Sequence, residues 1–238
     1  MMPTLVAVSH GTSDDLGQAA IARLVAAVRD RLPEVDVRQA FVDVQEPSLA
    51  SVLGTVGGPV AVVPLLLGGG FHVHVDITAA VEERATSGRP TAIARTLGPD
   101  AGLTGLLVGR LHQAGLADDD AVVLAVAGSS DVRARLSADR AAAMLATALR
   151  RRVRVGHLGG AGRPFGELVD EARASGARRV IAANYLLAPG HFASRLEESS
   201  ADLVATPLSG GIHLDPRLLD VVVRRYATAS QPLLACAA

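Results

Sequence analysis

The sequence predicts an α/β protein built from two tandem similar domains, each a parallel sheet flanked by helices. Three observations carry that expectation. Apolar runs of strand length alternate with longer segments of helical period, the pattern of strands covered on both faces. The alternation runs twice, and the second pass repeats wording from the first. Of the 238 residues, 49% are hydrophobic and 20% charged, too apolar for a disordered chain and enough for a large core.

The first pass opens on Thr4–Ser9 (TLVAVS), a buried-strand run, and continues as a helix over Gly17–Leu32, where Ala20, Leu24, Ala27, Val28 and Leu32 share one face. Val35–Val42 is the second strand, and a short helix is expected from Pro47, which suits a first helical turn. Val60–Leu67 follows as a strand, Ile77–Ala85 as a helix, Thr91–Ala94 as a short strand and Ala101–Ala114 as a helix. The polar stretch Gly115–Asp120 interrupts, and the order restarts. Strands are expected at Ala121–Val126, Val153–His157, Arg179–Ala183 and Asp202–Ala205. Helices are expected at Val132–Leu149, Phe165–Ala174, His191–Glu198 and Asp215–Tyr226. AVSHGTSD (7–14) matches LAVAGSSD (124–131), 117 residues on, and PLLLGGGFH (64–72) matches ANYLLAPGH (183–191), 119 residues on. The domains are accordingly placed at 1–117 and 118–238.

Charge and cysteine usage exclude several classes. The 23 basic residues, all arginine, balance 24 acidic ones to a net charge of −1, so no global field favours nucleic acid or an anionic membrane. The one cysteine, Cys236, rules out an internal disulfide framework and a cysteine zinc site. The opening MMPTLVAVSHG has neither a basic leader nor a long apolar core, and apolar runs of about eight residues cannot span a bilayer. A cytoplasmic protein is expected, with neither nucleic acid nor membrane as partner.

Ligands of parallel α/β sheets bind beyond the carboxyl ends of the strands. His10 follows the first strand there, Asp43 the second and His72 the third, the last through a Gly68-Gly69-Gly70 turn. Separations of 33 and 29 residues, one βα unit each, let one crevice receive all three. Two imidazoles and a carboxylate suit a borderline divalent metal, and the same groups can take protons near pH 7. On residues alone, strand-end histidines bonded to backbone and a turn-capping Asp43 stand equally open. Asp76 is expected to cap the next helix, and His74 to be an exposed helix-start residue. His112, His157 and His213 read as surface or packing residues. In the second half Ala127 holds the place of His10, Arg163 or Pro164 falls near that of Glu46-Pro47, and His191 alone repeats His72. That asymmetry leaves one working centre, with the cleft expected between the domains.

The segments LVAVSHGTSD, FVDVQEPSL and VVPLLLGGGFHVHVDI resemble the signature stretches of the sirohydrochlorin cobaltochelatases and ferrochelatases, over both halves as in the long form of that family. The resemblance rests on a strand followed by His-Gly-(Ser/Thr), then Phe-x-(Glu/Asp)-x-x-x-Pro, then Gly-x-His-x-x-x-Asp-Ile. It implies a lyase that inserts Co²⁺ or Fe²⁺ into sirohydrochlorin without ATP, for cobalamin or sirohaem, the metal being substrate and no cofactor permanently bound. His10 and His72 match the family histidines, as metal ligands and proton acceptors. Asp43 stands where the family usually has Glu, as charge partner, with Glu46 the alternative acid, and Thr78 stands where the family often has Pro. The substrate carboxylates are expected on Gly11, Thr12, Ser13, Gly70, Ser129 and His191, at helix N-termini, with Arg95, Arg163 and Arg195 as candidate cations. One chain holding both domains makes a monomer the expectation. The competing readings are a chelatase for another metal or tetrapyrrole, a non-catalytic metal or tetrapyrrole carrier, and a dinucleotide- or sugar-binding protein. The last is disfavoured by the missing Gly-rich phosphate fingerprint.

Overall fold

The computed structural model describes residues 2–235, and for residues 71–74 the backbone alone. In chain order the first eight elements are β1 (Thr4–Ser9), α1 (Asp15–Arg31), β2 (Val37–Phe41), α2 (Leu49–Thr55), β3 (Val60–Pro64), α3 (Phe71–Thr86), β4 (Thr91–Ile93) and α4 (Ala101–Gln113). The next eight are β5 (Ala121–Val126), α5 (Val132–Leu149), β6 (Val153–His157), α6 (Phe165–Ala174), β7 (Val180–Asn184), α7 (His191–Glu197), β8 (Leu203–Val204) and α8 (Pro216–Ala235). Two four-stranded, wholly parallel sheets result, ordered β2-β1-β3-β4 and β6-β5-β7-β8. Central strands buried on both faces must be apolar throughout, and Leu5–Val8 and Ile181–Ala183 are fully buried. Among the described residues no helix is long and apolar enough to cross a membrane.

Register makes the duplication quantitative. Thr4 pairs with Val60 in the first sheet and Ala121 with Val180 in the second, so β1 maps onto β5 at +117 and β3 onto β7 at +120. The isolated bridges Phe41–Ser48 and His157–Pro164 map the loop after β2 onto that after β6 at +116.

Two compact units form, Met1–Leu97 with Leu219–Ala238, and Gly98–Leu218. They do not coincide with the expected division at 117/118. In the second unit α4 buries Leu103, Leu106, Leu107 and Leu111 and packs on α5 and β7. Arg110 in α4 donates to the Gly210 carbonyl. In the first unit α8 is held by Arg225, which donates to the carbonyls of Thr96 and Leu97 at 2.8 Å each, and by the Tyr226 hydroxyl, which donates to the Pro3 carbonyl at 2.7 Å. The last helix of each repeat thus completes the unit built mainly from the other.

Three local expectations need correction. The helix expected from Ile77 begins at Phe71, with Gly70 in extended conformation as its N-cap, so Asp76 is an exposed mid-helix residue and caps nothing. Pro47 precedes α2, whose N-cap is Ser48, accepting from the Ser51 amide at 3.2 Å. The last helix runs past Tyr226 because Ala229, Ser230 and Leu233 extend its buried stripe. In the polar stretch before β5, Asp120 is a buried anchor: Arg179 donates to both its oxygens at 2.7 Å and the Ala117 amide to one at 2.7 Å. The Arg179 guanidinium holds the Asp120 carboxyl below its usual range.

Tyr226 is 2% exposed, and Tyr226→Phe leaves the Pro3 carbonyl without its donor. The expected loss is about 1–2 kcal/mol of unfolding free energy, measured by urea denaturation at unchanged m-value.

Candidate functional site

His10 stands one residue beyond β1, whose side chains are all buried, while the His10 side chain itself is exposed. Backbone bonds hold it: the Val42 amide donates to the Ser9 carbonyl and the Asp43 amide to the His10 carbonyl, both at 2.9 Å. The imidazole makes no hydrogen bond or ion pair among the described residues, which leaves both ring nitrogens to a ligand.

Gly11 explains why a glycine follows the histidine. Its φ is +98°, and a Cβ there would lie 2.0 Å from the Asp43 carbonyl oxygen. Neither the backbone angle nor the space admits a side chain. Asp43 is exposed, with Oδ1 accepting from the Val44 amide at 2.8 Å and no bond to Oδ2 among the described residues. Glu46, the alternative acid, is likewise exposed, with Oε2 accepting from the Ser48 amide at 2.7 Å. Val44 has φ +65°, a conformation unfavourable for a β-branched residue, and occurs between Asp43 and the turn back toward α2.

The remaining expected residues divide. The Thr12 amide donates to Gln45 Oε1 at 3.0 Å, and the Thr12 hydroxyl accepts from the Asp14 amide at 3.1 Å. Ser129 accepts from the Asp131 amide at the same 3.1 Å. Asp14 and Asp131 then cap α1 and α5, accepting from Gly17 at 2.7 Å and Arg133 at 2.8 Å. The N-termini expected to receive substrate carboxylates therefore already hold the chain's own. Ser13 is exposed. The N-terminus of α3, after Gly70, has no side-chain cap. His72 and His74 fall in the first turn of that helix, and their side chains lie outside the described residues. Among the described residues no three His, Cys, Asp or Glu side chains form a metal-holding group.

Register corrects the match of His191 to His72. The +120 offset of β3 on β7 continues through equal loops to the N-caps Gly70 and Gly190, which sets His191 against Phe71 and Phe192 against His72. The three places held by His10, Asp43 and His72 are thus held in the second unit by Ala127, Gly159 and Phe192. Those places meet: a Cβ on Gly159 would lie 3.1 Å from Cε1 of Phe192 and 3.5 Å from the Ala127 carbonyl oxygen. His191 is exposed, its ring edge-on to Phe192 at 5.2 Å.

Beside Gly159 the second unit has a cavity of about 320 Å³, reached by His157, Gly160, Phe165 and Arg195. Arg163 instead pairs with Glu171 at 2.8 Å, Arg154 with the same carboxylate at 2.6 Å, and Arg95 is exposed. His157 replaces Phe41 of the first unit. Gly162 lies flat on its ring, where a Cβ would come within 2.3 Å of Cδ2, and burial pushes the imidazole pKa down against the opposing pull of Asp139.

The CbiX family model matches residues 4–114 and again 121–229, and the chain belongs to that family. SirB from Bacillus subtilis, solved with Fe³⁺, is 20% identical over 99% of this chain and 98% of its own, with a TM-score of 0.83. The sirohydrochlorin chelatase SirB from Bacillus subtilis subspecies spizizenii, in complex with cobalt, is 18% identical over 97% and 96%, with a TM-score of 0.75. CbiX, the terminal enzyme for biosynthesis of siroheme in denitrifying bacteria, is 20% identical over 93% and 98%, at 0.66. No curated protein sequence matches. The fold is the chelatase-like α/β fold in two repeats.

Gly11→Ala is expected to cost more than about 2 kcal/mol, combining the left-handed φ with the collision on Asp43. Gly69→Ala, whose Cβ meets only Thr96 Cγ2 at 3.8 Å, should stay within about 0.5 kcal/mol of wild type in the same denaturation series. A second expectation concerns pH. His157 folded titrates below its unfolded value of about 6.5, so the unfolded chain binds more protons as acid is added. Its contribution to stability is complete above about pH 6.5 and falls as pH drops toward the lowered value. Unfolding free energies of wild type and His157→Gln between pH 5 and 8 should converge on the acid side.

Proposed function

We propose that the chain is a sirohydrochlorin chelatase, a lyase that inserts Co²⁺ or Fe²⁺ into the macrocycle without ATP. The observation that carries this is an exposed His10 with no side-chain hydrogen bond among the described residues, held by backbone against the Asp43 loop, in a chain whose two halves both match the CbiX family. Solved relatives of the same fold hold Fe³⁺ or cobalt.

Insertion exchanges one M²⁺ for the two pyrrole N–H protons of the macrocycle. The metal has to be delivered partly stripped of water, and the protons have to leave. A neutral imidazole serves either step, binding the cation through one nitrogen and titrating near the working pH. His10 and His72 are the ligands and proton acceptors, and Asp43 supplies negative charge through Oδ2. Such a set leaves coordination positions open, so the cation is released to the macrocycle instead of being kept. Asp43 is the acid nearer His10 in the backbone contact, through its amide on the His10 carbonyl.

For the substrate carboxylates, the first turn of α3 beyond Gly70, which provides no side-chain cap, offers backbone amides. Gly11 and Ser13 border His10 on the same loop. Ser129, His191 and Arg195 are the corresponding candidates of the second unit. The metal is substrate, the macrocycle is the partner, no cofactor is held permanently, and the chain works as a monomer in the cytoplasm.

The test is anaerobic turnover of sirohydrochlorin with Co²⁺ or Fe²⁺ at catalytic amounts of protein, followed by tetrapyrrole absorbance. Many turnovers are expected for wild type, with at least about 10²-fold loss for His10→Ala and for His72→Ala and a smaller loss for Asp43→Asn. One equivalent of product or less would make the protein a carrier. No acceleration with either metal would end the chelatase reading.

A further inference from the structure

Building on the chelatase reading, we propose that Gln45 is a positioning residue for His10, acting through the Thr12 peptide. The loop after β1 leaves the sheet at His10, and its near side is fixed by the Asp43 amide on the His10 carbonyl and by Gly11 against the Asp43 carbonyl. Those contacts leave the far side free to pivot. There the Thr12 amide donates to Gln45 Oε1 at 3.0 Å, and Gln18 Nε2 donates to the Thr12 carbonyl at 3.0 Å, so the two consecutive peptide groups that flank Thr12, two residues from His10, are each held by a side chain. The Gln45 amide in turn donates to the Asp43 carbonyl at 2.7 Å. The Gln45 side chain therefore links the His10 loop to the Asp43 turn, and the left-handed Val44 between them gives that turn its direction.

The second unit separates this role from folding. It repeats the glycine against the carbonyl (Gly128 on Gly159), the hydroxyl turn (Ser129 with Asp131) and a side chain on the carbonyl after the glycine (Arg135 on Ser129, 3.5 Å). At the place of Gln45 it has Ala161, and at the place of Val44 it has Gly160, φ +67°. The same pair of loops thus forms without the amide bridge and without the strained residue. The bridge occurs in the unit that carries a histidine after its first strand, and is missing where alanine stands there. A neutral amide oxygen suits the task, since it accepts from the peptide N–H without adding a charge that would compete with Asp43 for the cation.

The variants are Gln45→Met, similar in size but without the acceptor, and Gln45→Glu, which keeps an acceptor oxygen at the same reach. Four quantities are measured on the full chain: Thr12 amide hydrogen exchange, Co²⁺ binding by visible absorption without tetrapyrrole, kcat and KM for sirohydrochlorin, and thermal unfolding. For Gln45→Met, exchange at Thr12 should accelerate about 10-fold and kcat fall about 10-fold, the size of one lost hydrogen bond. KM and the melting temperature should stay near wild type, and Co²⁺ binding should weaken with an altered spectrum. Gln45→Glu should restore slow exchange at Thr12, while its added charge keeps kcat below wild type. An active wild type with Gln45→Met within twofold in kcat, or with unchanged Thr12 exchange, overturns the positioning role. Failure of the underlying reading has a different signature, an inactive wild type whose Co²⁺ spectrum is indifferent to His10→Ala.

Discussion

The contact on which the rest of the arrangement depends is the approach of the Gly11 α-carbon to the Asp43 carbonyl. A peptide oxygen occupies the volume a Cβ would need, 2.0 Å from its ideal position. Two neighbouring parallel strands therefore end in loops that touch through backbone, and the residue before the glycine is delivered to the carboxyl edge whatever its side chain. The second unit makes the same contact, with 1.7 Å from the ideal Cβ of Gly128 to the Gly159 oxygen. The backbone device is thus independent of the chemistry it carries. Histidine, aspartate and histidine occupy the three places in one unit, and alanine, glycine and phenylalanine in the other.

The compact units show a related separation between repeat and fold. By sequence, α4 closes the first repeat and α8 the second, as the family matches at 4–114 and 121–229 divide them. By packing, the leucines of α4 are buried in the second unit, and α8 bonds to Pro3, Thr96 and Leu97 of the first. Each repeat forms one core cluster from its own residues, Val6 to Val81 in one and Val123 to Leu196 in the other, and takes a further helix from the other repeat. A chain whose halves share helices in this way cannot lose one half without opening the other.

Much of this was legible in the sequence because it depends on apolar periodicity, which both sheets obey. β1, β5, α5, β6 and α6 fall on the residues expected of them. What was not legible depends on groups without a periodic signal. Gly70 caps α3 by backbone conformation alone, so the acidic Asp76 six residues later reads as the stronger cap although it caps nothing. His191 attracts the alignment with His72 because each is the histidine that comes after an apolar run and a glycine, whereas the pairing of β5 with β7 counts residues and finds Phe192. Asp120 looks like the end of a solvated acidic run and is the buried acceptor for Arg179. Gln45 sits inside a recognised signature stretch, yet its role appears only when the Thr12 amide is seen to point at it.

The way His10 is held bears on its proposed role in delivering a cation rather than storing one. Metal-binding imidazoles in permanent centres are commonly oriented by a hydrogen bond from the second ring nitrogen to a carboxylate or carbonyl, which raises affinity and fixes the tautomer. His10 has no such bond among the described residues, and the loop that carries it is fixed by the main chain on one side and by the Gln45 side chain on the other. Backbone positioning costs the ring neither nitrogen, so one is free for a cation and the other for a proton. It also omits the carboxylate or carbonyl partner that raises metal affinity in permanent centres. For a protein proposed to pass its cation onward, weak ligation from a rigid frame serves better than tight ligation. The rigidity of the two loops, set by a glycine, a carbonyl and an amide bridge, supplies the placement that a stronger ligand field would otherwise provide.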